Sequence, residues 1–185
     1  MADGLRQDWV GAFGTPIRAP APDNSYFCSS AEAMQALLGA AREQLELVVD
    51  MKLRHVLGDE AQAAKPATAP FALAGVAIRA AAANVEAVRA LLAAMLLAAA
   101  LPPEDASIAN ELDFQLASAL KALRDAEAVG GDWPGALASP DARNRAVYAA
   151  LALDQTIELL KDRRGRARPD RGLECARRRL SAARF

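Results

Sequence analysis

The chain has 185 residues, 53% of them hydrophobic and only 5% aromatic, with 22 basic and 23 acidic side chains for a formal charge of −1. Alanine, the best helix former, occurs 46 times, about a quarter of the chain, and β-branched residues are sparse. A β-sandwich, a barrel or a long sheet is thereby excluded, and the expectation is an all-helical protein long enough to bury a real core.

The first residues, MADGLRQDWVGAFG, lack a basic stretch followed by an apolar one, so no signal peptide is read there. Leu5, Trp9 and Phe13 stand four apart on one helical face. Two turns are too few to hold alone, so this short N-terminal helix reads as the tail end of a longer one. A loop rich in proline and turn formers follows. Ser29 with Glu32 three residues on is a capping box and opens a helix over 30–57. Its apolar stripe runs through Met34, Leu37, Leu38, Ala41, Leu45, Val48, Val49 and Leu53, and Gly58 stops it.

After the loop GDEAQAAKPATA, Pro70 begins a helix over 70–101. Its only charges are Arg79, Glu86 and Arg89, which predicts the most buried helix of the molecule. Arg79 and Asn84 inside it need partners, and hydrogen bonding between helices is the expected source. Pro102 and Pro103 separate it from a helix over 103–129, with Ile108, Leu112, Leu116, Ala119, Leu120 and Leu123 on one face. Gly130 and Gly131 end that element. Ser139-Pro140 is an N-cap with proline at the first helical position, opening a helix over 140–163.

Four such helices joined by short loops predict an up-down four-helix bundle over residues 29–163, behind an N-terminal segment 1–28 and ahead of a basic tail 164–185. The longest uncharged runs, residues 66–78 and 90–103, are too short to cross a membrane. Residues 161–185 carry ten basic and three acidic side chains, a net +7; the other 160 residues carry 12 and 20, a net −8. This is a basic arm on an acidic bundle. It could meet a nucleic acid, an anionic lipid or the acidic bundle itself, or stay solvated. One aromatic, Phe185, makes no stacking platform, and no nucleic-acid motif is present, so there is no strong nucleic-acid signal.

The chemistry the chain can hold is limited by one histidine and two cysteines. A Glu-x-x-His pair and HExxH both need more histidines than are present. His55, near Gly58 at the end of its helix, reads as a helix C-terminal side chain rather than one edge of a weak site with Asp59. There is no G-x-S-x-G, and Ser29, Ser30, Ser107, Ser118, Ser139 and Ser181 read as caps or surface positions. AVGGDWPG has glycines but neither the lysine nor the strand of a phosphate loop. Cys28 and Cys175 are either two thiols or a disulfide, and spacing leaves both open. No catalytic, cofactor-binding or metal-binding residue is assigned, and no cofactor is expected.

The order of segments resembles the C-terminal half of the imelysin-like family of bacterial cell-envelope proteins. The resemblance rests on DMKLRHVLG at 50–58, APF at 69–71 and IRAAAANVEAVRALL at 78–92, and spans about residues 5–162. It implies a half of a two-bundle protein, a place in the periplasm or cell envelope and a link to iron or metal uptake. The family is nominally one of metallopeptidases, with a G-x-H-x-x-E hallmark that this chain lacks: His55 is followed at i+3 by Gly58. Where the family tends to have serine or arginine at the start of the second helix, this chain has FALAGVA. The expectation is a non-enzymatic binding bundle. The alternatives are a metallopeptidase completed by a missing N-terminal half, and a cytosolic bundle whose tail holds a nucleic acid or an anionic surface. Trp9 and Phe13 further predict a homodimer through their face, or an exposed apolar patch beside residues 5–13 that a missing N-terminal half would cover.

Overall fold

The computed structural model describes residues 7, 19–21, 24, 26–58, 63–95 and 106–164, with side chains given as far as residue 161 in the last stretch. All regular structure among the described residues is helical. In chain order it comprises α1 (Ser30–Leu47), a π-helical segment (Val48–Arg54), α2 (His55–Leu57), two short 3₁₀ turns (Pro66–Thr68 and Ala72–Ala74), α3 (Ala77–Ala94), α4 (Ala106–Gly130), α5 (Trp133–Ala138) and α6 (Pro140–Arg164). Apart from Gln7, the proposed helix over residues 5–13 lies outside the described residues, as does all but the start of the basic tail.

The chain divides into two compact units, one of residues 1–39 and 163–185 and one of residues 40–162. In the first, the Asn24 carboxamide accepts the Tyr26 and Phe27 N–H groups at 2.8 and 3.0 Å and donates to the Ala19 carbonyl at 3.1 Å. Such a turn breaks the chain before the helix. Ser29 Oγ then accepts the Glu32 N–H at 3.2 Å, while Glu32 Oε2 reaches back to the Cys28 N–H at 2.8 Å. This is the capping box expected from the sequence, displaced by one residue on the return bond.

The second unit holds the core. Buried Leu45, Val49, Leu53 and Leu57 recur every four residues along the first helix. In a straight α-helix four residues overshoot one turn by about 40°, so a stripe with this spacing would wind away from the core. The wider π turn of Val48–Arg54 cancels the drift, and the His55 N–H reaches five residues back to the Asp50 carbonyl. The helix runs from Ser30 to Leu57 as expected, with the π segment inside it. It ends at Gly58, whose φ of 69° is left-handed.

The second predicted helix is corrected at its start: residues 70–76 are turns, and α3 begins at Ala77. Pro70 does not start a helix because Phe71 and Gly75 both sit in the left-handed region, at φ 67° and 64°. Nor is this helix apolar on all sides in effect. Ala77, Ile78, Ala81, Ala82, Val85, Val88 and Leu92 are buried, while Ala83, Ala87, Ala90, Ala93 and Ala94 are exposed. Alanine here supplies helix propensity rather than burial. The third and fourth helices lie where the sequence places them, and Ser139 Oγ accepts the Ala142 N–H at 3.4 Å as an N-cap.

Cross-helix ion pairs fix the helix directions. Arg79 binds Glu127 at 2.8 Å, Arg124 binds Glu86 at 3.0 Å, and Arg89 binds Asp113 at 2.6 Å, so α3 and α4 are antiparallel. Arg54 binds Asp154 at 2.6 Å and Lys161 lies 3.9 Å from Glu46, so the first helix and α6 are antiparallel too. Arg145 joins α6 to Asp125 of α4 at 2.9 Å, and the π segment packs on α3. The ring of four long helices closes on Leu116, Leu120, Leu123, Leu153, Ile157 and Leu160.

Candidate functional site

Two of the three segments that carry the family resemblance, 50–58 and 69–71, meet at one end of this unit. The Lys52 ammonium lies 5.9 Å from the centroid of the Phe71 ring, a cation–π contact across the loop. Burial pushes the Lys52 ammonium below the usual lysine range. Phe71 is the one non-glycine residue with positive φ among the described residues, a conformation that costs an L-amino acid about 1 kcal/mol or more. The Lys65 N–H donates to the Val56 carbonyl at 2.9 Å, and Thr68 Oγ1 donates to the Lys65 carbonyl at 2.7 Å, tying the loop base to α2. Arg143 completes this end from α6, its guanidinium 3.4 Å from the Leu57 carbonyl.

The GGDWPG stretch, read from the sequence as a stop, instead organises the floor. Gly131 is left-handed at φ 74°, which frees Asp132 to turn back. Asp132 Oδ1 accepts the Ile78 N–H at 3.0 Å, so the N-terminus of α3 is capped by a residue 54 positions away. α5 packs against the Pro66–Thr68 turn and buries Trp133 completely. Asp132 Oδ2 and Trp133 Nε1 are buried without a hydrogen-bond partner. A Cβ on Gly130 would overlap the Ala136 backbone, and one on Gly135 would overlap the Gly130 carbonyl. No side chain can replace either glycine without separating α5 from α4.

A second feature is a groove of about 410 Å³ between α4 and α6, lined by Ser118, Lys121, Asp125, Asn144, Arg145 and Tyr148 among others. Its charges are mutually satisfied. Lys121 at 2.5 Å, and then Arg145, hold the Asp125 carboxyl below the usual carboxylate range.

The residues weighed from the sequence are not brought together. His55 is exposed, and Asp59 lies outside the described residues. Arg79 finds its interhelical partner in Glu127, whereas Asn84 is half-buried with no side-chain hydrogen bond to the described residues. Ser29 and Ser139 are caps, and Ser118 lines the groove. Cys28 is disulfide-bonded, one of the two states that spacing leaves open; Cys175 lies outside the described residues. Catalytic zinc needs three protein ligands and an open position. Among the described residues no three His, Cys, Asp or Glu side chains stand together to hold an ion. Among the described residues no helix is long and apolar enough to cross a membrane.

The family model described as Imelysin, a peptidase family, matches residues 1–160. Comparison with curated proteins and with solved structures gives no match.

Proposed function

The chain belongs to the imelysin family, and from that premise we propose that it is a non-enzymatic helical-bundle module of the cell envelope, engaging a partner or ligand linked to iron or metal uptake. The observation that carries the reading is the disulfide at Cys28. Disulfides persist in oxidising compartments such as the periplasm and are rare in the cytosol. Binding rather than hydrolysis is supported by the donor set, since the chain's one histidine stands exposed at a helix end with Gly58, not glutamate, three residues on.

Two measurements test this reading. Fractionation of the producing cells should place the native protein in the envelope fraction, with Cys28 protected from alkylation until reductant is added. The purified protein, supplied with zinc or ferrous ions, should not cleave unstructured peptides. A cytosolic, reduced protein would overturn the location. Peptide hydrolysis abolished by a chelator and restored by metal would establish the metallopeptidase alternative instead.

A further inference from the structure

The loop between α2 and α3 has an uncharged, exposed apolar apex. Residues 66–78 carry no charge. Leu73 is fully exposed at 106% and Phe71 is 60% exposed, with Ala67, Ala74 and Gly75 exposed beside them. Exposing two large apolar side chains at the apex of one short loop is unfavourable in water unless something covers them.

Part of the loop's backbone is satisfied within the loop. Pro66 and Pro70 have no N–H to satisfy. The N–H groups of Thr68, Ala69, Ala72, Ala74 and Gly75 all bond inside the loop, to the carbonyls of Lys65, Pro66, Ala69, Phe71 and Ala72, at 3.0–3.3 Å. An unsatisfied backbone group moved out of water costs several kcal/mol, so these five internal bonds lower the cost of desolvating the loop, while the N–H groups of Phe71 and Leu73 are left for interfacial water and headgroup oxygens. The left-handed Phe71 is what allows the two 3₁₀ turns to follow each other so closely.

Charge supplies the second observation. Of the basic side chains described, Arg42, Arg54, Arg79, Arg89, Lys121, Arg124, Arg145 and Lys161 each pair with a carboxylate. The three without a carboxylate partner among the described residues are Lys52, Lys65 and Arg143. All three surround the base of this loop, through Phe71, Val56 and Leu57. Asp59 and Glu60 precede the loop and lie outside the described residues.

We propose that residues 66–76 form a membrane-surface docking tip: Phe71 and Leu73 enter the headgroup–acyl boundary of an anionic bilayer while Lys52, Lys65 and Arg143 meet its phosphates. A convex apolar apex backed by cations without a carboxylate partner among the described residues fits a lipid interface better than a protein groove, which would need a concave counterpart and paired charges. The proposal does not depend on the uptake role, because lipid binding is measured with the purified protein alone.

The test is co-sedimentation with vesicles of phosphatidylcholine, and of phosphatidylcholine mixed with an equal amount of phosphatidylglycerol. The wild type binds the mixed vesicles, more weakly as salt rises. Leu73→Asp, which alters no buried contact, lowers the partition coefficient by about tenfold or more. Lys52→Gln and Lys65→Gln each lower it about fivefold. With Phe71→Trp, lipids brominated on their chains quench the added fluorescence, which locates the tip in the bilayer. A folded wild type that ignores anionic vesicles overturns the proposal. So does binding that survives Leu73→Asp, since the basic tail would then be the part that holds lipid.

Discussion

Asp132 is the residue on which the floor of the candidate site depends. Its side chain caps α3 from a distance while its carbonyl accepts the Ala136 N–H at 2.9 Å to start α5. Loss of an N-cap costs about 0.5–2 kcal/mol, and here the freed Ile78 N–H is buried as well. Asp132→Ala is expected to destabilise by the upper part of that range in urea denaturation. Asp132→Asn keeps an acceptor for Ile78 and gives the position of the unpartnered Oδ2 a donor, so it should cost less than half as much. Equal losses for the two variants would mean that the carboxylate charge at the start of α3, rather than the hydrogen bond, is what stabilises the helix. The sequence shows Asp132 between glycines and a tryptophan, but not that it reaches Ile78, because a cap 54 residues away leaves no local pattern.

At the scale of elements, what the sequence revealed and what it hid have separate physical causes. The four long helices were legible because each carries a stripe and a cap of its own, as Ser29 with Glu32 and Ser139 with Pro140 show. The π segment left a trace in the strict four-residue spacing from Ala41 to Leu57, which a straight α-helix cannot keep on one face. The start of α3 was misplaced because proline at a first helical turn and proline in a 3₁₀ turn look alike in sequence. Only the left-handed Phe71 separates them, and a bulky aromatic gives no sign of positive φ. That strain yields a prediction. Phe71→Gly should raise stability, or leave it unchanged, by removing about 1 kcal/mol of conformational cost against the loss of the contact with Lys52. Phe71→Val should lower it by about 1–3 kcal/mol, since a β-branched side chain fits this region least. Thermal melts of both variants decide the matter, and equal stability of Gly and Val at this position would show the backbone to be unstrained. A residue kept against its own conformational preference is consistent with a role at the surface, where Phe71 is exposed.

For the whole molecule, the disulfide at Cys28 adds a constraint that composition alone left open. Cys28 sits one residue before the cap of α1, and its N–H is already held by Glu32. A covalent bond there fixes the entry to the longest continuous helical stretch among the described residues. The sequence offers one other cysteine, Cys175, so the bond joins either distant parts of one chain or two copies. Trp9 and Phe13 gave a separate reason to expect association between copies, and the two ideas make different demands. A bond within the chain predicts an oxidised protein that runs as a monomer without reductant and whose mass rises by two hydrogens on reduction. Reduction, or Cys28→Ser, should then cost about 2–4 kcal/mol, as expected when a long segment of the unfolded chain is released. Any dimer seen by sedimentation would persist in reductant and be lost in Trp9→Ala with Phe13→Ala. A bond between copies predicts the reverse: a covalent dimer on a non-reducing gel that reductant separates, with little change in the stability of each chain. We expect the first pattern, because Cys28 belongs to a turn closed by Asn24 and a helix start closed by Ser29, where a bond to another part of the same chain locks a local structure that is already formed.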